Sequence, residues 1–235
     1  MIEAKNICKT FGKLKVLDDV SITLQSHDAV AIIGPNASGK TTFIKSLLGL
    51  VKPERGTIHI NNQSILHSWQ YRSQIGYMPQ IGRYPENMTI QQVVEMIMDL
   101  RQCNASNIDN DLVNAYNLKE IYNKRTGTLS GGTRQKLSAC ICFLFSPSII
   151  ILDEPTAGLD PVSSEILKEK IIHEKNKGKL IMITSHLLSE LDDLVGGIVY
   201  FKDGKIVFHK TLLEIMSATG EEKVAKALTS YIRQN

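Results

Sequence analysis

Two segments of this chain are apolar without interruption: AVAII at Ala29–Ile33 and IIIL at 149–152. A strand with one wet face would carry a polar residue at every second position. Unbroken runs of this length instead fit parallel strands covered on both faces. Leu180–Thr184 reads as another strand, and residues 2–8, 16–24 and 57–61 as short strands with turns between them. Behind the first run comes a loop, 34–39, and then a helix with Phe43, Ile44, Leu47 and Leu48 on one side. That helix ends near Gly49, with Pro53 beyond. Residues 86–145 carry mainly helical spacing: Ile90, Val93, Val94, Ile97 and Met98 form one stripe, and Leu112, Val113, Tyr116 and Leu118 suggest another. A helix over 161–177 follows the second run. Residues 198–208 read as a hairpin closed by Asp203-Gly204. From Leu212 the helical period returns, with Val224, Leu228, Tyr231 and Ile232 on one face. The pattern predicts an α/β chain whose parallel-sheet core is interrupted by a helical subdomain over roughly 81–146.

Composition narrows the class. A chain of 235 residues can hold one large α/β domain. With 43% hydrophobic and 22% charged residues it is neither disordered nor fibrous. The longest apolar stretch, 139–145, is broken by Ser146-Pro147, far short of the roughly 20 residues a spanning helix needs. The first ten residues lack an apolar signal core. The expectation is a cytoplasmic protein that reaches a membrane only by docking on a partner. A net charge of +3 gives no reason to invoke nucleic acid. Cys8 and Cys103 stand alone. Cys140 and Cys142 are two apart in helical sequence and point about 200° apart, so they do not chelate one metal. All four read as small buried hydrophobes in a reducing compartment.

Two motifs carry the chemistry. Gly34-Pro35-Asn36-Ala37-Ser38-Gly39-Lys40-Thr41, followed by Thr42, matches G-x-x-x-x-G-K-[ST] and sits between a buried strand and a helix. Successive backbone N–H groups there curl around phosphates, and the helix N-terminus adds partial positive charge. Lys40 supplies a full charge to the terminal phosphates, and Thr41 a hydroxyl to Mg²⁺. Many such loops carry glycine where Ala37 stands; if the position needs φ > 0, Ala37 is strained by about 1 kcal/mol. The second motif is Asp153-Glu154, directly after the run at 149–152. Two carboxylates at the C-terminal end of a buried strand lie where α/β proteins bind ligands. Asp153 fits a Mg²⁺ role and Glu154 a general base acting on water.

Many ATPases and kinases share those two motifs. Leu129-Ser130-Gly131-Gly132-Thr133-Arg134-Gln135, leading into an apolar helix, adds a second anion-binding helix start. It resembles the signature of ATP-binding-cassette (ABC) proteins. The resemblance spans essentially the whole chain. It implies a P-loop NTPase parallel-sheet core with an antiparallel β subdomain and an inserted α-helical subdomain, all in one ATPase domain. The core would cover about 1–80 and 147–210, the helical subdomain about 81–146 and a helical tail about 211–235. It further implies that Phe11 stacks on adenine beside Val16. Gln80 would link Mg²⁺ and water to the helical subdomain, Asp160 would lie in the loop that crosses a dimer axis, and His186 would contact the γ-phosphate. Thr133 departs from the glutamine often found at its position.

The resemblance implies a mechanism. Two cassettes, most simply a homodimer, would pair head to tail around two ATP molecules with Mg²⁺. Each site would join the phosphate loop of one subunit to Ser130-Gly131-Gly132 of the other. Hydrolysis would release the pair, and the motion would pass to a separate integral membrane permease, placing the chain on the cytoplasmic face of the inner or plasma membrane. The runner-up is a non-transport cassette ATPase of cofactor assembly. The stretch 71–80, with 84–89, also resembles cassettes that serve maturation of the copper enzyme nitrous-oxide reductase.

Overall fold

The computed structural model describes residues 1–66, 68–102, 108–185, 191 and 193–234. In it, strand β3 (Ala29–Ile33) lies inside a six-stranded sheet, followed by helix α1 (Lys40–Leu47). The other strands of that sheet are β6 (Ile75–Met78), β7 (Ile149–Asp153), β8 (Leu180–Thr184), β9 (Gly197–Lys202) and β10 (Lys205–Thr211). Their order is β10-β9-β3-β8-β7-β6, and only the β9–β10 pair is antiparallel. A smaller antiparallel sheet, in the order β2-β1-β4-β5, is built from β1 (Ile2–Phe11), β2 (Leu14–Leu24), β4 (Arg55–Ile60) and β5 (Gln63–Ser64).

The unbroken apolar runs are explained by what covers them. Ala29, Ala31, Ile33, Ile150, Leu152, Ile181 and Ile183 face one core. That core also holds Leu137 and Phe143 of α4 (Gly131–Phe143) and Leu167 and Ile171 of α5 (Pro161–Asn176). Two helices of the tail, α6 (Leu212–Thr219) and α7 (Val224–Gln234), add Ile215 and Leu228. The intervening residues Val30, Ile32, Ile149, Ile151, Leu180 and Met182 face a second core with Phe43, Ile44 and Leu47 of α1 and with Ile2, Leu17 and Ile58 of the antiparallel sheet. Each central strand therefore buries both faces, and neither set of positions can be polar.

Among the described residues between β6 and β7 lie α2 (Ile90–Arg101), α3 (Asp111–Ala115), two short 3₁₀ turns and α4. Thr89 caps α2 reciprocally with Gln92. Residues 116–130 turn rather than continue a helix. The tail, read as one helical stretch, is two helices separated at Gly220, whose φ of 69° ends α6. The hairpin turn has φ of 49° at Asp203 and 76° at Gly204, the conformation a two-residue loop between twisted strands needs. Strands β5 and β6 were not expected. In β6, a Cβ on Gly76 would lie 2.2 Å from the carbonyl of Cys142, so a bare backbone lets the strand press on α4. Cys8, Cys140 and Cys142 are free and buried, and burial pushes the thiols of Cys140 and Cys142 up; Cys103 lies outside the described residues. Among the described residues no helix is long and apolar enough to cross a membrane.

One polar cluster is built into the helical side. Lys170 of α5 is buried, with its Nζ 2.6 Å from Asp109, 2.7 Å from Asp111 and 3.0 Å from Glu174. Lys179 and Lys177 also pair with Glu174. Burial works against ionisation of Glu174, but these ammonium groups outweigh it and hold its carboxyl at about 2. Because the folded value lies below the unfolded one, this contribution is full above the ordinary glutamate range. It is lost as pH falls toward 2. Lys170→Met should destabilise the fold by about 3 kcal/mol, because it removes the ammonium partner of the nearly buried Asp109 carboxylate, while Glu174 keeps Lys177 and Lys179. Urea titration checks this; a loss below about 1 kcal/mol would refute the network's structural role.

Candidate functional site

The loop after β3 adopts a shape that only certain residues tolerate. Gly34 has φ 149°, and a Cβ there would lie 2.1 Å from the carbonyl oxygen of Phe201. Gly39 has φ 106°, and its Cβ would lie 2.7 Å from the carbonyl oxygen of Val16. Glycine at both ends is therefore a packing requirement. Ala37, with φ 61°, sits in the left-handed region. The strain expected if this position needed positive φ is present. Lys40, the first residue of α1, donates through Nζ to the carbonyls of Gly34 (2.7 Å) and Pro35 (2.9 Å). Burial pushes its ammonium below its ordinary range, while the carboxylates of Glu154 and Asp153 pull the other way.

Opposite the loop, the C-terminal ends of three parallel strands converge. Asp153, the last residue of β7, stands across from Thr184, the last of β8. The Thr184 hydroxyl donates to Asp153 Oδ1, and it accepts from the backbone N–H of Glu154 at 3.1 Å. The Thr184 carbonyl accepts from the same N–H, also at 3.1 Å. Glu154 has φ 51°, a conformation that costs a non-glycine residue about 1–2 kcal/mol. Gln80, two residues after β6, donates from Nε2 to Glu154 Oε2 at 3.2 Å. An edge carboxylate is thus held by a strained backbone and an amide from a neighbouring strand.

Loop and strand ends face each other across a cleft of about 550 Å³. Of the residues expected to bind nucleotide or metal, Val16, Asn36, Ala37, Ser38, Gly39, Lys40, Thr41, Thr42, Gln80, Asp153 and Glu154 line it. Gly34 and Pro35 contribute the carbonyls under Lys40. Phe11 is outside the lining. It pairs with Leu14 at the end of the β1–β2 hairpin, is 51% exposed, and carries the Lys9 ammonium 5.2 Å from its ring centroid. Leu14 and Thr184 line the cleft and were not singled out from sequence. His186 lies outside the described residues.

Ser130, Gly131, Gly132 and Asp160 do not line this cleft. They form a separate exposed corner. Ser130 caps α4, accepting from the Thr133 N–H at 3.2 Å, and its hydroxyl is 2.8 Å from that of Thr133. Thr133 thus brings a second hydroxyl to the turn. A Cβ on Gly131 would meet nothing within 4 Å. Asp160 caps α5, accepting from Ser163 N–H (2.9 Å) and Oγ (2.7 Å). Those bonds, with the Lys136 ammonium, hold its carboxyl well below the usual range.

The cleft fits a phosphate chain with a divalent cation. The Ser38 hydroxyl is buried at the loop with no hydrogen-bond partner among the described residues, and such a group ordinarily has one. The two glycines at positive φ open a concave backbone surface at a helix start, as anion cradles do. Thr41, Gln80 and Asp153 bring oxygen donors to the same cleft, the type a hard cation takes.

Comparison with known proteins agrees with this geometry. Residues 17–157 match the family model described as ABC transporter. The lipopolysaccharide export system ATP-binding protein LptB of Haemophilus influenzae is 31% identical over 225 residues, 92% of this chain and 93% of that one. The lantibiotic transport ATP-binding protein SrtF of Streptococcus pyogenes is 32% identical over 212 residues, 89% of this chain and 90% of that one. A solved ATP-binding subunit of an ABC transporter superposes with a TM-score of 0.91 at 26% identity, covering 99% of both chains. A dimeric ATP-binding cassette in a post-hydrolysis state with ADP and Pi shares the fold, with a TM-score of 0.79 at 23% identity, over 90% of this chain and 98% of that one.

The strain at Ala37 is testable. Ala37→Gly relieves about 1–2 kcal/mol in the folded loop and costs about 0.4–1 kcal/mol through a freer unfolded chain. A net gain of about 0.5 kcal/mol is expected in nucleotide-free denaturation. A clear loss of stability would contradict the strain.

Proposed function

The chain belongs to the ABC transporter family, as an ATP-binding and ATP-hydrolysing subunit, and on that premise we propose how its residues divide the work. The cleft supplies one half of each ATP site. Lys40 leaves the carbonyls of Gly34 and Pro35 to meet the β- and γ-phosphates, and the amides of 34–42 with the Ser38 hydroxyl hold the phosphate chain. Phe11 and Val16 form the platform for the base. Thr41, Gln80 and Asp153 would hold Mg²⁺, which neutralises charge on the phosphates when bound. Glu154 orients the attacking water and takes its proton, with Gln80 fixing the carboxylate beforehand. His186 contacts the γ-phosphate. The single observation that carries this reading is the meeting of Lys40, Gln80, Asp153 and Glu154 on the two walls of one cleft.

The other half of each site is the exposed corner at Ser130-Gly131-Gly132, with Asp160 beside the dimer axis, contributed by a second copy of this chain. Its separation from the cleft within one subunit is what a head-to-tail pair requires. ATP favours the closed pair through contacts absent with ADP, which is a population shift between two states. We propose that the core over 1–80 and 147–210 and the helical subdomain over 81–146 move relative to each other in this cycle, with 211–235 as a packed tail. An apolar hollow lined by Leu48, Leu50, Ile75, Ile97 and Phe145 borders β6, whose end leads to Gln80. It suits docking of an integral membrane permease, which would hold the chain at the cytoplasmic face of the inner or plasma membrane. Relatives named for lipopolysaccharide export and lantibiotic transport favour export as the direction. The narrower likeness to copper-enzyme maturation cassettes draws no support from these relatives.

Glu154→Gln should bind ATP, lose most turnover and accumulate as an ATP-bound dimer. Steady-state phosphate release with size-exclusion chromatography in ATP checks this. Turnover close to that of the unaltered chain would remove Glu154 from the role of base.

A further inference from the structure

The aromatic ring assigned to the base does not stand alone. Phe11 ends β1 and pairs with Leu14 across a turn in which Gly12 has φ 60°. Leu14 and Val16 line the cleft, so this hairpin tip borders the phosphate site. The register of β1 against β2 shifts on both sides of Lys9, and such irregularities re-aim the side chains near them. The Lys9 ammonium lies over the Phe11 ring, yet the Lys9 side chain is only 19% exposed, which is unusual for a lysine at a surface. Glu54 accounts for it. Its Oε1 lies 3.6 Å from Lys9 Nζ and accepts from the backbone N–H of Thr10 at 3.2 Å. The backbone N–H of Glu54 donates to the Cys8 carbonyl at 2.9 Å. One acid, distant in sequence, therefore grips Cys8, Lys9 and Thr10 immediately before the ring. A cation is drawn to the face of an aromatic ring; with Lys9 over one face of Phe11, the other is left for a flat ligand.

We propose that Lys9 and Glu54 are positioning residues for nucleotide recognition. Together they set the Phe11 ring as a one-sided platform, with its covered face on the Lys9 ammonium and its open face toward the adenine base. Lys9 acts through the ring, and Glu54 acts through Lys9 and the Thr10 amide. The gain is pre-organisation. A half-exposed phenylalanine at a hairpin tip has several orientations open to it, and a base that must select one of them binds more weakly by the share of rings so oriented. An ammonium held by a carboxylate keeps the ring in one orientation before ATP arrives. This inference rests on the proposed role of Phe11 as the base platform. It adds that affinity for the base, as distinct from affinity for the phosphates, depends on a charge pair outside the cleft lining.

The test is calorimetry on the full chain with two ligands, ATP and inorganic tripolyphosphate, each with Mg²⁺. Tripolyphosphate offers the phosphate loop its charges but brings no base. Lys9→Met keeps most of the apolar stem and removes the ammonium. It should weaken ATP binding about threefold, the scale of a cation–π contact near a surface, and leave tripolyphosphate binding unchanged. Lys9→Arg, whose guanidinium also binds ring faces, should restore ATP affinity. Added to Phe11→Ala, Lys9→Met should change nothing further, because the ring it acts through is gone. Where Lys9→Met does not yield folded protein, Glu54→Gln carries the same expectation, since it keeps an acceptor for the Thr10 amide and loses the charge. Unchanged ATP affinity overturns the proposal. So does an equal loss for ATP and tripolyphosphate, an arginine variant as impaired as the methionine one, or a further loss on the Phe11→Ala background. Phe11→Ala alone separates the two levels. If it weakens ATP binding while Lys9→Met does not, only the positioning role fails. If it leaves ATP binding unaltered, the platform reading falls and this inference with it.

Discussion

Asp153 stands opposite Thr184 because β7 and β8 run parallel in one register, and the rest of the site depends on that pairing. The Thr184 hydroxyl touches both the Asp153 carboxylate and the Glu154 amide, so a single side chain sets both acids. A slip of one residue would turn every side chain of β7 to the opposite face. The two cores forbid it energetically less than they do by shape. Both faces are apolar, so what a slip would lose is the fit of Ile150 and Leu152 against the helices and of Ile149 and Ile151 against α1 and the small sheet. The dense packing on both faces of the sheet is therefore what holds two carboxylates at a defined edge.

Two left-handed non-glycine residues, Ala37 and Glu154, lie where that edge meets the loop. Gly34 and Gly39 take conformations that any Cβ would block, while Ala37 and Glu154 take left-handed ones without glycine's freedom. Such positions persist only when their surroundings over-determine them. Here the surroundings are the carbonyls of Phe201 and Val16 on one wall and Thr184 on the other. The hydrogen bonds from Lys40 to Gly34 and Pro35 close the loop on itself. The proposed exchange of those carbonyls for phosphate oxygens would trade one set of charge-assisted bonds for a stronger one.

Much of this was legible in the residues. Unbroken apolar runs announced the central strands because burial on both faces removes polar positions, and the loop, Asp153 and Glu154 followed from what lies at their ends. The strain at Ala37 could be anticipated because many such loops carry glycine at that position. Strand β6 could not. It is short, half glycine and tyrosine at its centre, and exists because Gly76 lets its backbone reach α4. Thr184 was hidden for a related reason: a threonine at a strand end has no signature, and its importance comes from a partner 31 residues away. Phe11, chosen by likeness, lies at the exposed tip of a hairpin rather than in the cleft lining.

The central claim is that a working site is assembled from the cleft of one chain and the Ser130-Gly131-Gly132 corner of another. Its most direct test is ATPase complementation between two inactive variants, Lys40→Ala with an intact corner and Gly131→Asp with an intact cleft. Mixed before assembly, they should recover activity that neither shows alone, because the heterodimer contains one site with both intact halves. A mixture as inactive as its components would contradict the account.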